Sequence, residues 1–129
     1  MRHHESKIQI ACVNWFGYQY PQLHAVFYSV PNGGKRTLTE AKILKAEGVK
    51  AGVADLILNL PNKDFTFLAI EMKTENGKQT TNQKNWQKEV EKLGAKYVLC
   101  RNITEFITEI NIYLESTPFG LKKLSNKIQ

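Results

Sequence analysis

The sequence predicts an α/β protein with a mixed central sheet flanked by helices, in the element order α-β-α-β-β-α-β-α. Three observations lead to this class. Apolar residues repeat with helical spacing in some segments and alternate with polar residues in others. Two of the strand segments are joined by a short turn, which indicates an antiparallel hairpin. A further strand follows this hairpin only after a helix, which indicates a right-handed crossover and a parallel pair.

The chain begins with a predicted helix and a predicted strand. The helix runs from about His3 to Tyr20, and Pro21 ends it. Its apolar stripe is formed by residues spaced three or four positions apart: Ile8, Cys12, Trp15, Phe16 and the polar Gln19. A segment rich in Val, Phe and Tyr, His24 to Val30, predicts a strand that stops at a Pro-Asn-Gly-Gly loop.

A second helix and a hairpin follow. A capping-box pattern, Thr-x-x-Glu, predicts a helix from Thr37 to about Glu47, which Gly48 can close. Two apolar strands are then predicted, Val53 to Leu60 and Phe65 to Lys73. The four residues between them, Pro-Asn-Lys-Asp, are typical of a turn, so the two strands should pair in antiparallel orientation.

The last third of the chain adds a helix, a strand and a helix. A second capping-box pattern, Thr-x-x-Gln, starts a helix from Thr80 to about Leu93, and Gly94 stops it. Lys96 to Cys100 is predicted as a short strand, and Asn102 to about Glu115 as the final helix. The basic segment 117–129 is expected to be a flexible tail.

Length and composition limit the kind of protein. A chain of 129 residues suffices for one hydrophobic core, and we expect a single domain over residues 1–129. No apolar stretch reaches the roughly 20 residues of a membrane helix, so we expect no membrane association. The 18 Lys and Arg against 12 Asp and Glu give a net charge of +6, which favours nucleic acid as partner. Cys12 and Cys100 lie in apolar runs, which indicates buried, reduced thiols and a cytoplasmic protein.

Charged residues interrupt the apolar hairpin strands on one face. Alternation places Glu71 and Lys73 on one face of the second strand, and Asp55 on the face of the first strand that lacks its leucines. Pairing Asp55 with Glu71 leaves a five-residue connection and brings their Cβ atoms within about 4.5–5.5 Å. Two such carboxylates repel unless one is protonated or a cation such as Mg²⁺ lies between them. The alternative is a partly buried ion cluster at the end of the sheet.

Several segments in chain order resemble the VRR-NUC (virus-type replication-repair nuclease) branch of the PD-(D/E)xK nucleases. They are His4-Glu5-x-x-Ile8, Pro31-Asn32-Gly33-Gly34-Lys35-Arg36, Gly48-x-x-x-Gly52-Val53-Ala54-Asp55-Leu56, Ile70-Glu71-Met72-Lys73, and Gln83-x-x-Trp86 followed by Gly94. The resemblance runs from Glu5 to about Val98 and implies a restriction-endonuclease-like core. One position departs from the superfamily pattern, because Ala54 stands where its proline would be.

The resemblance implies a metal site and a group that assists water. Asp55 and Glu71 would bind Mg²⁺, for which Mn²⁺ can substitute, together with the backbone carbonyl of Met72. Glu5 would complete the acidic site, through a water or a second metal. Its alternative is an acidic residue that stabilises the N-terminus of a helix. Lys73 would orient the attacking water and stabilise developing charge.

The resemblance also implies roles for residues around this core. Gln83 would orient Lys73 or water, and its alternative is a capping-box residue that bonds the Thr80 amide. Trp86 is interpreted as core packing. The candidates for contact with nucleic acid are Asn32, Lys35, Arg36, Lys78 and Lys84. For these residues the alternatives are an ordinary turn and a solvated helix face.

The function that these features imply is a metal-dependent DNA endonuclease of the VRR-NUC type that leaves 5′-phosphate ends. The resemblance further implies a phage or bacterial protein that acts as a homodimer on branched DNA such as four-way junctions. The alternative is a non-catalytic DNA-binding module that uses the same basic surface on the same fold.

Overall fold

The computed structural model describes residues 2–31 and 36–121, except for the side chains of Arg2 and His3. The elements follow the predicted order, with a 3₁₀ helix at Pro21–Val26 added before the first strand. They are α1 (Arg2–Gln19), β1 (Phe27–Ser29), α2 (Leu38–Ala46), β2 (Leu56–Leu58), β3 (Leu68–Met72), α3 (Thr81–Lys92), β4 (Lys96–Cys100) and α4 (Ile103–Leu114). The α/β class is therefore confirmed.

The four strands form one mixed sheet in the order β1-β2-β3-β4. β2 pairs antiparallel with both β1 and β3, whereas β3 and β4 are parallel. The hairpin register pairs Leu56 with Ile70 and Leu58 with Leu68. This is the register in which residue 55 lies opposite residue 71, so the register predicted from the alternation is confirmed.

The main hydrophobic core lies between one face of the sheet and the helices α1 and α4. The leucines of β2 and the alternate residues of β3 point into it, as predicted. Phe16 of α1 stacks on Phe27 of β1 with ring centroids 4.0 Å apart. Cys12 and Cys100 are free thiols buried in this core, and burial raises the pKa of each to about 12.

A smaller hydrophobic cluster lies on the opposite face of the sheet. It contains Ala54, Ile57, Ala69 and Tyr97, and Trp86 of α3 packs against it. The interpretation of Trp86 as a packing residue is therefore confirmed. Polar residues lie at the edge of this cluster, where Gln83 of α3 contacts Glu71. The candidate site is found there.

The strands are shorter than predicted. The segment His24 to Val30 was expected to be one strand, but residues up to Val26 belong to the 3₁₀ helix that begins at Pro21. Proline fixes its own φ and lacks the N–H that a ladder needs, which favours a helical turn there. Gln19, predicted in the buried stripe of α1, is exposed, and the following Tyr20 is buried instead.

The first residues of the segment predicted as a tail contact the end of α4 and the main core. The Thr117 hydroxyl donates to the carbonyl of Leu114 at 2.7 Å, and Phe119 packs against the main core. The described part of the chain ends at Leu121, and residues 122–129 lie outside it. Within that described part, no helix is long and apolar enough to cross a membrane.

Candidate active site

Asp55 sits at the point where β2 begins. Its carboxylate Oδ2 accepts a hydrogen bond from the backbone N–H of Met72 at 2.7 Å, and its backbone carbonyl accepts one from Val30 at 2.9 Å. The side chain therefore takes the place of a backbone acceptor in the ladder with β3. This explains why β2 starts at Leu56 rather than at the predicted Val53, and it fixes the carboxylate beside Glu71.

Glu71 is a buried carboxyl on β3, with about 2% of its surface exposed. Its Oε2 accepts from the Gln83 side-chain amide at 2.9 Å, and its Oε1 accepts from the Tyr97 hydroxyl at 3.2 Å. The hairpin register places Asp55 opposite it, and the negative charge of Asp55 acts on this carboxyl. Lys73, which directly follows β3, brings its Nζ to 3.9 Å from Oε2 and is itself mostly buried. The structure thus brings the predicted Asp55, Glu71 and Lys73 together.

The environment of Glu71 favours its protonated form. Burial and the neighbouring negative charge of Asp55 raise its pKa to about 8, although Lys73 and the Tyr97 hydroxyl act in the opposite direction. Bringing a carboxylate this close to another one inside a protein requires either a proton or a cation between them. A cation that binds between Asp55 and Glu71 near neutral pH would therefore displace the proton of Glu71.

Gln83 forms the capping box that was the alternative interpretation, and it also contacts the site. In the first turn of α3, Thr80 Oγ1 accepts from the Gln83 N–H at 3.2 Å, and the Gln83 Oε1 accepts from the Thr80 N–H at 2.8 Å. Because this capping box uses only the oxygen of the amide, the Nε2 is free to donate to Glu71. Its partner in the site is thus Glu71 and not Lys73.

Two site residues were missed from the sequence, Tyr97 and Gln79. The parallel register places Tyr97 of β4 opposite Ala69, so its side chain is on the same face as Glu71. Aligning the alternation of β4 with that of β3 would have found it. The Tyr97 hydroxyl accepts a hydrogen bond from Gln79 at 3.2 Å, and burial together with the charge of Glu71 raises its pKa.

The loop between β3 and α3 is held by a residue that was also missed. Arg101, which follows β4, donates through Nη1 to the carbonyls of Thr74 at 2.7 Å, Glu75 at 3.1 Å and Gly77 at 2.7 Å. Charged donors to backbone carbonyls form strong hydrogen bonds. Arg101 therefore fixes the chain that leaves Lys73 and leads to the start of α3.

The donor set suits a hard divalent cation, because Asp55 and Glu71 supply carboxylate oxygens of the kind that Mg²⁺ prefers. Among the residues the structure describes, no three His, Cys, Asp or Glu side chains are grouped to hold a metal ion. Glu5, half-buried near the start of α1, therefore does not join Asp55 and Glu71 as a third direct ligand. Its contribution through water and that of the Met72 carbonyl stay predictions.

The predicted contacts to nucleic acid lie on the surface. Arg36, Lys78 and Lys84 are exposed, whereas Asn32 and Lys35 lie outside the described residues. Arg36 also lines a groove of about 420 Å³ beside α2, together with Lys45, Lys50 and the backbone of Gly52. Gly52 lies against the backbone of Asn82 and Gln83 of α3, so this basic groove adjoins the site.

The fold and the site together define a class of protein. A mixed sheet with Asp55 just before one strand and Glu71-Met72-Lys73 at the end of the next has the arrangement of a PD-(D/E)xK nuclease. Comparison with known families is consistent with this class, because the model of the VRR-NUC domain matches residues 2–102. The chain belongs to the VRR-NUC family, which is part of a nuclease superfamily.

A solved structure supports the same assignment. The chain is similar to a VRR_NUC domain protein with a TM-score of 0.76 and 28% sequence identity. The similarity covers 87% of this chain and 88% of the other one, so the two share nearly the whole fold. No curated protein matches the sequence.

Proposed function

We propose that this protein is a metal-dependent DNA endonuclease that hydrolyses phosphodiester bonds. The observation that carries the proposal is the buried Glu71, which lies opposite Asp55 in the hairpin and has the Lys73 ammonium 3.9 Å away. A structural ion pair would need only one acid for one base. With Asp55 as a second acid, the three side chains carry one more potential negative charge than Lys73 neutralises. That excess favours the binding of a cation.

Asp55 and Glu71 would hold Mg²⁺, or Mn²⁺ in its place, with the Met72 carbonyl and with Glu5 through a water. When bound, the ion supplies charge neutralisation at the phosphate and a lowered pKa of its water. The protein contributes orientation: the Met72 N–H fixes Asp55, while Gln83 and Tyr97 fix Glu71.

Lys73 is the residue that would act on the water. Its ammonium is mostly buried and has one carboxylate neighbour, so its charge is little screened by solvent. It would hold the attacking water in line and stabilise the negative charge that develops on the phosphate. The water oxygen would bond to phosphorus and give up a proton to solvent, the bond from phosphorus to the 3′ oxygen would break, and that oxygen would take up a proton from solvent. The products are a 5′-phosphate and a 3′-hydroxyl.

The proposed substrate is branched DNA such as a four-way junction, cut by a homodimer with two sites. Exposed cations near the site, namely Arg36, Lys78 and Lys84, support contact with a polyanion, as does the net charge of +6. Cleavage of linear, flap and junction DNA of matched sequence, together with sedimentation of the free protein, tests both parts.

The decisive experiment compares isosteric variants of the two acids. Loss of the bound metal would remove several kcal/mol of transition-state stabilisation, so Asp55→Asn and Glu71→Gln should each slow cleavage by about 100-fold or more. Glu89→Gln, a change of an exposed acid on α3, is the matched control and should cut at the wild-type rate.

The outcome separates the proposal from its alternative. Cleavage that continues unchanged in both site variants would rule out the proposed site. Salt-dependent DNA binding without any product in Mg²⁺ or Mn²⁺ would instead identify a non-catalytic DNA-binding module.

A further inference from the structure

We propose that Tyr97 and Gln79 are positioning residues for Glu71, and that they act through a chain of hydrogen bonds with a fixed direction. The inference rests on the proposed function, because it concerns how Glu71 is presented to a metal ion. It adds two residues that neither the sequence motifs nor the family match assigns to the site.

The chain of hydrogen bonds runs from the surface to the buried acid. Gln87 Nε2 donates to Glu91 Oε2 at 3.2 Å, and Gln79 Nε2 donates to Gln87 Oε1 at 2.9 Å. Gln79 Nε2 also donates to the Tyr97 oxygen at 3.2 Å, and the Tyr97 hydroxyl donates to Glu71 Oε1 at 3.2 Å. Three elements contribute, because Gln79 precedes α3, Gln87 and Glu91 lie on it, and Tyr97 is on β4.

The direction of the chain follows from the chemistry of its ends. An ionised carboxylate such as that of the exposed Glu91 only accepts hydrogen bonds, so Gln87 must turn its amide nitrogen toward it. The Gln87 oxygen then faces Gln79 and requires a donor, which turns the Gln79 nitrogen inward. One N–H of Gln79 reaches Gln87 and the other reaches Tyr97. The Tyr97 oxygen is thereby occupied as an acceptor, and its hydrogen is directed to Glu71.

A second constraint acts on the other oxygen of Glu71. The capping box occupies the Gln83 oxygen, so the Gln83 nitrogen faces Glu71 Oε2. Each carboxylate oxygen thus accepts one hydrogen bond from a donor whose orientation is set elsewhere. Each oxygen has a second lone pair, which can take a metal ion. Partners of this kind raise metal affinity by about 10- to 100-fold because they orient the ligand before the metal arrives.

The test measures metal binding without DNA, by calorimetric titration of the full chain with Mn²⁺. We expect Tyr97→Phe to raise the dissociation constant for Mn²⁺ by about 10-fold. Tyr113→Phe is the matched control, since it also removes a buried tyrosine hydroxyl, one that donates to the Leu60 carbonyl at 2.7 Å in the main core. The control should bind Mn²⁺ as the wild type does, although both variants lose a buried hydrogen bond.

A double-mutant cycle tests the chain itself. Gln79→Ala should weaken Mn²⁺ binding by about 3-fold in the wild-type background and should have no further effect beside Tyr97→Phe, since residues in one network are non-additive. Additive effects, or a Tyr97→Phe protein that binds Mn²⁺ within 2-fold of Tyr113→Phe, would overturn this inference while leaving the proposed function intact. Wild-type protein that binds no Mn²⁺ and cuts no DNA would contradict the proposed function itself.

Discussion

At the scale of single residues, Glu71 shows how a carboxyl group can be placed inside a small α/β fold. A carboxyl with about 2% exposure normally loses its charge, because burial favours the neutral form. Donors from Gln83 and Tyr97 and the ammonium of Lys73 offset part of that cost. Asp55 adds to the cost, so the arrangement is more stable with a proton or a cation than with two bare carboxylates.

This balance predicts the pH dependence of stability in metal-free protein. Glu71 has a pKa near 4.5 when unfolded and about 8 when folded, so between these values the folded state binds more protons. Its stabilising contribution is therefore complete below about pH 4.5 and is lost as the pH rises through 8, with a slope of at most about 1.4 kcal/mol per pH unit. Urea unfolding in EDTA at pH 5 to 8, for the wild type and Glu71→Gln, measures this pH dependence of the free energy of unfolding. Parallel profiles for the two proteins would contradict the assignment.

Lys73 supports a separate prediction, because the proposal gives it a role in chemistry and none in metal binding. Lys73→Ala should slow single-turnover cleavage by about 100-fold, as expected for loss of a group that acts on the water. The affinity of the Lys73→Ala protein for Mn²⁺ should be unchanged or higher, since a positive charge near the metal site has been removed. Lys88→Ala, an exposed change on α3, is the control and should leave the chemical step unchanged.

The site was predictable from the sequence to the extent that it depends on strand alternation. Asp55, Glu71 and Lys73 are brought together by a register that the alternation and a short turn define. Tyr97 was missed because finding it requires the alternation of β4 to be aligned with that of β3 across an intervening helix. The contact of Gln83 with Glu71 was also missed. The capping-box pattern describes only the bond of the Gln83 side-chain oxygen, whereas its nitrogen bonds Glu71.

At the scale of elements, the helix ends were predicted best because their causes are local. Both capping boxes form, and Gly48 and Gly94 adopt the positive φ that ends each helix. The strand ends were predicted less well because they depend on distant groups. β2 begins where the Asp55 side chain bonds the backbone of β3, and no pattern within residues 53–60 contains that information.

The contact between the loop before β2 and the start of α3 gives a prediction at this scale. Gly52 has a φ of +83°, and a Cβ there would overlap the Asn82 carbonyl. Gly52→Ala should therefore lower the free energy of unfolding by about 3 kcal/mol or more, from the positive φ and from displacement of α3. Gly48→Ala is the matched control: its φ is +104°, but nothing lies within 4 Å of the new methyl, so we expect about 1 kcal/mol. Equal losses in urea unfolding would show that the two backbones do not pack closely.

At the scale of the whole molecule, the two ends of the sheet differ in what they carry. Asp55, Glu71 and the first turn of α3 lie at one end, whereas the turn at 61–64 and the last turn of α3 lie at the other. α3 has 12 residues, so its ends are about 17 Å apart. The groove lined by Arg36, Lys45 and Lys50 belongs to the first end, because its Gly52 wall touches α3 at Asn82. α2 itself has no buried residue, so its cations are presented to solvent along its length.

DNA that reaches the site should therefore cross this groove and not the opposite end of the sheet. The groove has a volume of about 420 Å³, and its charged lining among the described residues is Arg36, Lys45 and Lys50 with no acidic side chain, which suits a phosphate backbone. In EDTA, the double change Lys45→Ala and Lys50→Ala should weaken binding of a junction DNA and reduce the slope of log K against log salt by about 2, one per lost phosphate contact. Lys63→Ala with Lys92→Ala removes the same charge at the opposite end, so binding should retain nearly its full slope. If both pairs reduce the slope equally, the attraction comes from net charge alone and the groove is not the path of the strand.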